Sequence, residues 1–234
     1  MIAILKRELH SYFHSATAYI VLAVFYFFAG IFFSASCLLS NSSNMRYLFS
    51  DMFMIILLVV PIITMKSFSE EKRQKTDQAL LTSPISLIEI VLGKFLGALT
   101  LYTCCVAIFV FDVLIISCFT TPDWAVILCT ILGLYLFGAA LIAIDIFISA
   151  LTESQVVAAI VSIAVGLFIY MLDSIAEIIN IGFVSDFINA ISFNTNYLGF
   201  TIGQISLSSI VFFLSVMAVF DFLTIRVLEK KRWA

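Results

Sequence analysis

Charge is what this sequence most lacks. Only 12% of its 234 residues are charged against 63% hydrophobic, and a mean hydropathy of +1.17 leaves too little polar surface to cover a soluble globule of this length. Histidine is nearly absent. The two present, His10 and His14, precede the first long apolar run, so neither a Ser/His dyad nor an HExxH zinc site can be assembled inside a bilayer. The five cysteines (Cys37, Cys104, Cys105, Cys118, Cys129) are odd in number, contain no CxxC and fall mostly within apolar runs; they read as small hydrophobes rather than as a disulfide framework or a metal site. No GxxxxGK[ST] phosphate cradle occurs, since Leu92-Gly-Lys-Phe95 lacks both the preceding glycine and the following hydroxyl. A formal net charge of −3 argues against nucleic-acid binding. The first residues carry charge after apolar side chains and show no small-residue cleavage site, so no cleaved signal peptide is expected.

What is there is a succession of apolar runs, each long enough to cross about 30 Å of hydrocarbon as a helix. The reading is a single all-α membrane domain over residues 1–234 with six crossings. An amphipathic surface helix over residues 1–15 places Ile2, Leu5, Leu9, Tyr12 and Phe13 on one side. The crossings follow at about 17–39, 52–65 (extended by 47–51 and carrying Pro61), 87–116, 124–151, 156–172 and 205–227. Residues 173–205 mix short apolar groups with Asp173, Glu177, Asn180, Asp186, Asn189, Asn194 and Asn196, which suggests short re-entrant outer helices shielded by protein. With the N-terminus inside, nearly all basic residues fall on the cytoplasmic side and Arg46 alone outside, the asymmetry that sets orientation. Both termini are then cytoplasmic.

Three aspartates lie within crossings. Asp112 is placed toward the outer leaflet with no basic residue at its depth. Asp145 and Asp221 are placed near the inner leaflet, close enough to helix ends to pair with Arg226 or Lys66. An ion-coupled transporter or channel built on such carboxylates is the competing reading, but repeats or broken spans in corresponding halves are missing.

The one strongly charged stretch runs from Lys66 to Asp77. Ser67 with Glu70 fits a capping box, Glu71 and Lys75 stand at i,i+4, and Pro84 disfavours helix at Ser83, which predicts a short helix over 67–83. Ser86 with Glu89 predicts a second box opening the third crossing. A charged run of this kind is commonly a solvated loop that only sets orientation; a helix bounded on both sides, with Leu80 and Leu81 in its inner part, is more ordered than that role requires.

These residues, Met65-Lys-Ser-Phe-Ser-Glu-Glu-Lys-Arg-Gln-Lys-Thr-Asp-Gln-Ala-Leu-Leu-Thr-Ser-Pro-Ile-Ser86 and then Glu89-Ile-Val-Leu-Gly-Lys-Phe-Leu96, resemble the signature of ABC-2 type permeases of the gliding-motility and nitrous-oxide-reductase maturation branch. Lys75 stands where that branch usually has glycine, and Gln78 where it often has glutamate. The resemblance implies a non-catalytic permease subunit of an ATP-driven exporter in a bacterial inner membrane, paired with a second or related permease copy. The partner is a separate ABC ATPase that binds ATP and Mg; no cofactor is expected in this chain. Glu70, Glu71, Lys72, Arg73, Thr76, Leu80 and Leu81 would form the coupling helix docked on that ATPase. Some relatives of this architecture instead pass a mechanical signal to an outer protein, for which this chain has little outer mass. The cargo is not specified by these residues.

Overall fold

The computed structural model describes residues 1–40, 45–76, 78, 85–119, 121–179 and 191–233. The described residues form helices α1 (Ile2–Phe13), α2 (Ala16–Phe33), α3 (Arg46–Thr64), α4 (Ser69–Arg73), α5 (Leu87–Val106), α6 (Ile108–Ser117), α7 (Trp124–Leu151), α8 (Gln155–Ile179), α9 (Phe193–Thr201) and α10 (Leu207–Trp233). Six stretches are long and apolar enough to cross a membrane: Ala16–Leu38, Arg46–Arg73, Leu87–Ser117, Trp124–Leu151, Gln155–Leu172 and Leu207–Arg232. The first ends in a π-helical turn, Ser34–Leu38, and the third is interrupted at Ala107 between α5 and α6.

Helix starts follow local chemistry. Ser15, Ser86 and Ser192 hold extended backbone and accept from Thr17 N at 3.3 Å, Glu89 N at 3.3 Å and Thr195 N at 3.2 Å, opening α2, α5 and α9. Pro61, which has no N–H to give, sits one turn before α3 ends at Thr64.

The bundle is built around α7. Of its membrane-length window 72% is buried, against 22–28% for α2, α8 and α10, which therefore form the periphery. In a bilayer, lipid competes for apolar contact, so tight packing depends on small residues that let helices approach. Gly133, Gly138, Ala139, Ala140 and Ala143 supply them on α7. The Tyr102 ring occupies the place of a Cβ at Gly138, only 2.2 Å away, and its hydroxyl donates to Leu134 O at 2.8 Å. Phe53 stacks on Phe137 at 4.0 Å with Tyr197 beside them at 5.2 Å, while Phe27, Phe111, Phe168 and Phe222 face outward. Phenylalanine thus serves both to lock spans together and to line the lipid-facing surface.

In the expected outer re-entrant stretch, α8 continues to Ile179 and α9 is a capped helix; residues 180–190 lie outside the described residues.

Candidate functional site at the basic end of the bundle

Gly93 and Gly97, one helical turn apart, leave a groove along α5. Helix α1 lies in it so closely that a methyl group at Gly93 would stand 2.8 Å from Ile4 Cγ2, and one at Gly97 2.9 Å from Glu8 Cβ. This approach brings Glu8 to Lys94, the lysine between the two glycines.

Lys94 is 1% exposed, and its ammonium meets three oxygens. It reaches Glu8 Oε1 at 3.0 Å, Glu71 Oε1 at 3.0 Å and the Ser67 carbonyl at 2.6 Å, with the Phe68 ring centroid 4.9 Å away. Arg7 closes the cluster from the outside, bonding Glu8 Oε1 at 2.8 Å and Glu71 Oε1 at 2.7 Å. Two cations and two carboxylates therefore neutralise one another. Burial pushes the Glu8 carboxyl up, but Lys94 and Arg7 outweigh that and hold it below its ordinary value. The Arg7 guanidinium is raised by the same carboxylates against the opposing effect of burial. One cluster so joins α1, α4 and α5.

Helix α4 is fastened a second time, to the end of α7. Its first amides, Phe68 N and Ser69 N, donate to Ser149 Oγ at 3.1 and 3.2 Å, so a serine from a neighbouring span caps the helix. Lys72, also buried, donates to the Ala150 carbonyl. At its other end Thr76 N reaches Glu71 O at 2.9 Å and Lys75 N reaches Lys72 O at 3.0 Å, the paired bonds of a Schellman turn. Such a turn needs a left-handed residue, and Lys75 takes it with φ 56°.

Several expectations are corrected here. The Ser67–Glu70 capping box is not formed: Ser149 already holds the N-terminal amides, Ser67 Oγ has no partner, and Glu70 accepts instead from Gln74 Nε2 at 3.2 Å. Among the described residues the helix stops after Arg73, where Lys75 turns left-handed, and Gln78 is again helical; residues 77 and 79–84 lie outside the described residues. The Glu71–Lys75 pair is not made, since Glu71 is committed to Arg7 and Lys94. Leu80 and Leu81 lie outside the described residues. Of the residues assigned to docking, Glu71 and Lys72 turn inward, Glu70 is half-buried, and Arg73 and Thr76 are exposed.

The pairing expected for the inner aspartates is also absent among the described residues. Arg226 bonds Glu229 at 2.7 Å and Lys66 bonds Thr17 Oγ1 at 3.0 Å. Asp145 lies instead against the hydroxyls of Ser162 and Thr64, from α8 and α3. Asp112, Asp145 and Asp221 are all buried and each keeps one oxygen without a partner. They do not converge: no group of three metal-capable side chains occurs among the described residues.

Arg7, Glu8, Lys94 and Ser149 were not singled out from the sequence as site residues. A signal existed for two of them. A lysine inside an apolar helix needs a counter-charge, and Glu8 shares the buried face of α1 with Ile4, one turn away.

Six membrane-length helices around a buried axis, with a short charged helix fastened to their basic end, define a multi-pass membrane domain. The chain belongs to the ABC-2 family of transporter proteins, matching it over residues 43–233. It is thus a membrane permease of ABC-transporter type, a class whose membrane subunits are generally not catalytic. Helix α1, with Arg7 and Glu8, lies outside the matched residues. A search of curated proteins gives no match.

Proposed function

We propose that this chain is the permease subunit of an ATP-driven exporter in a bacterial inner membrane, with its basic end in the cytoplasm. A separate ABC ATPase, which binds the ATP and Mg, docks on the outward side of α4. The permease works as a pair with a second copy or a related chain. The observation that supports this reading best is the double fastening of α4: the Lys94 cluster ties it to α1 and α5, and Ser149 and Lys72 tie it to α7. A stroke delivered to a loose loop would be dissipated, whereas a helix bolted to the central span moves that span with it. Glu70, Arg73 and Thr76 supply the contact with the ATPase; Glu71 and Lys72 supply the linkage.

This division of labour separates two phenotypes. The variant Glu70→Ala/Arg73→Ala is expected to lose co-purification with the ATPase while folding normally. Glu71→Ala is expected to keep the ATPase bound but to lose stimulation of its hydrolysis by cargo. Wild-type binding and transport in the Glu70/Arg73 variant would sink the docking assignment.

A further inference from the structure

A cavity of about 470 Å³ opens at the basic end, walled by α1, α2, α3, α4 and α5. Its size falls within the range of about 300–1,000 Å³ usual for small-ligand sites. The lining is amphipathic. Ala18, Val21, Ile62 and Leu101 of the spans supply its apolar lining, while the charged side chains come from α1, from α4, from Lys66 just past α3 and from Lys94 on α5.

Six charged side chains line this cavity, and four of them, Arg7, Glu8, Glu71 and Lys94, cancel one another in the cluster described above. One cation and one carboxylate remain. Lys66 Nζ meets only the neutral Thr17 Oγ1, at 3.0 Å, and Glu70 meets only the neutral Gln74 Nε2, at 3.2 Å, among the hydrogen bonds of the described residues. Although four residues apart, the two form no ion pair with each other. Partly desolvated charges held by neutral partners are costly unless something of opposite sign completes them. Ser67 Oγ, fully buried and also on the lining, has no hydrogen-bond partner among the described residues either.

The complement of this arrangement is a zwitterion: an anion for Lys66 and Thr17, a primary ammonium for Glu70, and an apolar tail along Val21 and Ile62. Its position at the start of a crossing, where α2 and α3 meet the water boundary, suits a molecule that lives in the bilayer. We propose that the cavity binds the phosphoethanolamine headgroup of a phospholipid in the leaflet at the basic end. The phosphate oxygens accept from Lys66 and the Thr17 hydroxyl, and the ammonium donates to Glu70. Phosphatidylcholine presents a quaternary ammonium with no N–H to donate, and phosphatidylglycerol has no cation for Glu70, so both fit less well. The inference does not rest on ATPase docking: it concerns the isolated chain, in which Glu70, also assigned to the ATPase contact, is open to the ammonium.

Native mass spectrometry of the purified full-length chain in detergent, with phosphatidylethanolamine, phosphatidylcholine or phosphatidylglycerol added at equal concentration, reads the site directly. One phosphatidylethanolamine should be retained with about tenfold preference over the other two, the scale of one charge-assisted hydrogen bond. Glu70→Gln should abolish the preference, and Lys66→Ala, which removes the phosphate contact common to all three lipids, should lower the retention of each. Ser11→Trp, at an exposed position on the cavity lining, should block retention without altering lipid-free thermal unfolding. Soluble glycerophosphoethanolamine should bind far more weakly than the lipid; equal binding would make the occupant a free phosphoamine and overturn the lipid assignment. Equal retention of all three lipids, or retention unaffected by Lys66→Ala and Ser11→Trp, would overturn the site itself.

Discussion

A lysine within an apolar helix is tolerated only where its charge and donors are met, and Lys94 meets both through Glu8, Glu71 and Ser67. Lys94→Met leaves two carboxylates with only the half-exposed Arg7 between them, one negative charge in excess at a largely buried site, and it should destabilise the fold by about 3–5 kcal/mol. Thermal unfolding in micelles measures this. Adding Glu8→Gln and Glu71→Gln should recover most of the loss, because the penalty lies in the stranded charges rather than in missing volume. The same cluster sets a pH response. Glu8 titrates below its ordinary value of 4.5 in the folded chain, so its stabilising contribution is complete above pH 4.5 and disappears as pH falls from there through the lowered folded value. Melting temperature should be level from neutral pH to about 5 and then drop, with Glu8→Gln flattening that drop. At this scale the sequence was least legible. Glu8 and Lys94 are 86 residues apart, and nothing in the local pattern of either shows which partner it finds.

Helix α4 is short, and its two ends are set by different kinds of information. Its start depends on Ser149, some 80 residues away, which is why a local Ser67–Glu70 box looked sufficient in the sequence and is not what forms. Ser149→Ala should cost about 1 kcal/mol and speed hydrogen exchange at the Phe68 and Ser69 amides. Its end depends on one backbone angle at Lys75, which the expected Glu71–Lys75 pair in a helix to 83 did not foresee, although the permease branch that the sequence resembles usually has glycine there. An L-residue in the left-handed region costs about 1–2 kcal/mol relative to glycine. Lys75→Gly should therefore raise the melting temperature and slow exchange at the Thr76 amide; a lowered melting temperature would mean that the lysine side chain matters more than its φ. Longer elements were plain from the start. Apolar runs of membrane length and the Ser86 cap were readable because each is decided by neighbours within a turn or two.

Across the whole molecule, the six spans are held by α7, whose small residues admit α3, α5, α9 and α10, and whose last turn holds α4 through Ser149 and Ala150. The central span and the charged helix are therefore joined at that turn. The burial of the aspartates belongs to this scale too: Asp145 faces Ser162 and Thr64 across three spans, a packing that span depth alone could not foretell. Helix α1 is the other attachment, and Gly97→Leu, which forces α1 off α5, should release Glu8 from Lys94 and uncouple transport while leaving the spans assembled. Whether α4 receives an ATPase is tested most directly by a photo-crosslinking side chain in place of Arg73, activated in native membranes. The predicted result is a covalent adduct with an ABC ATPase. Failure to capture any ATPase, or reaction of that position with probes confined to the outer face, would contradict it.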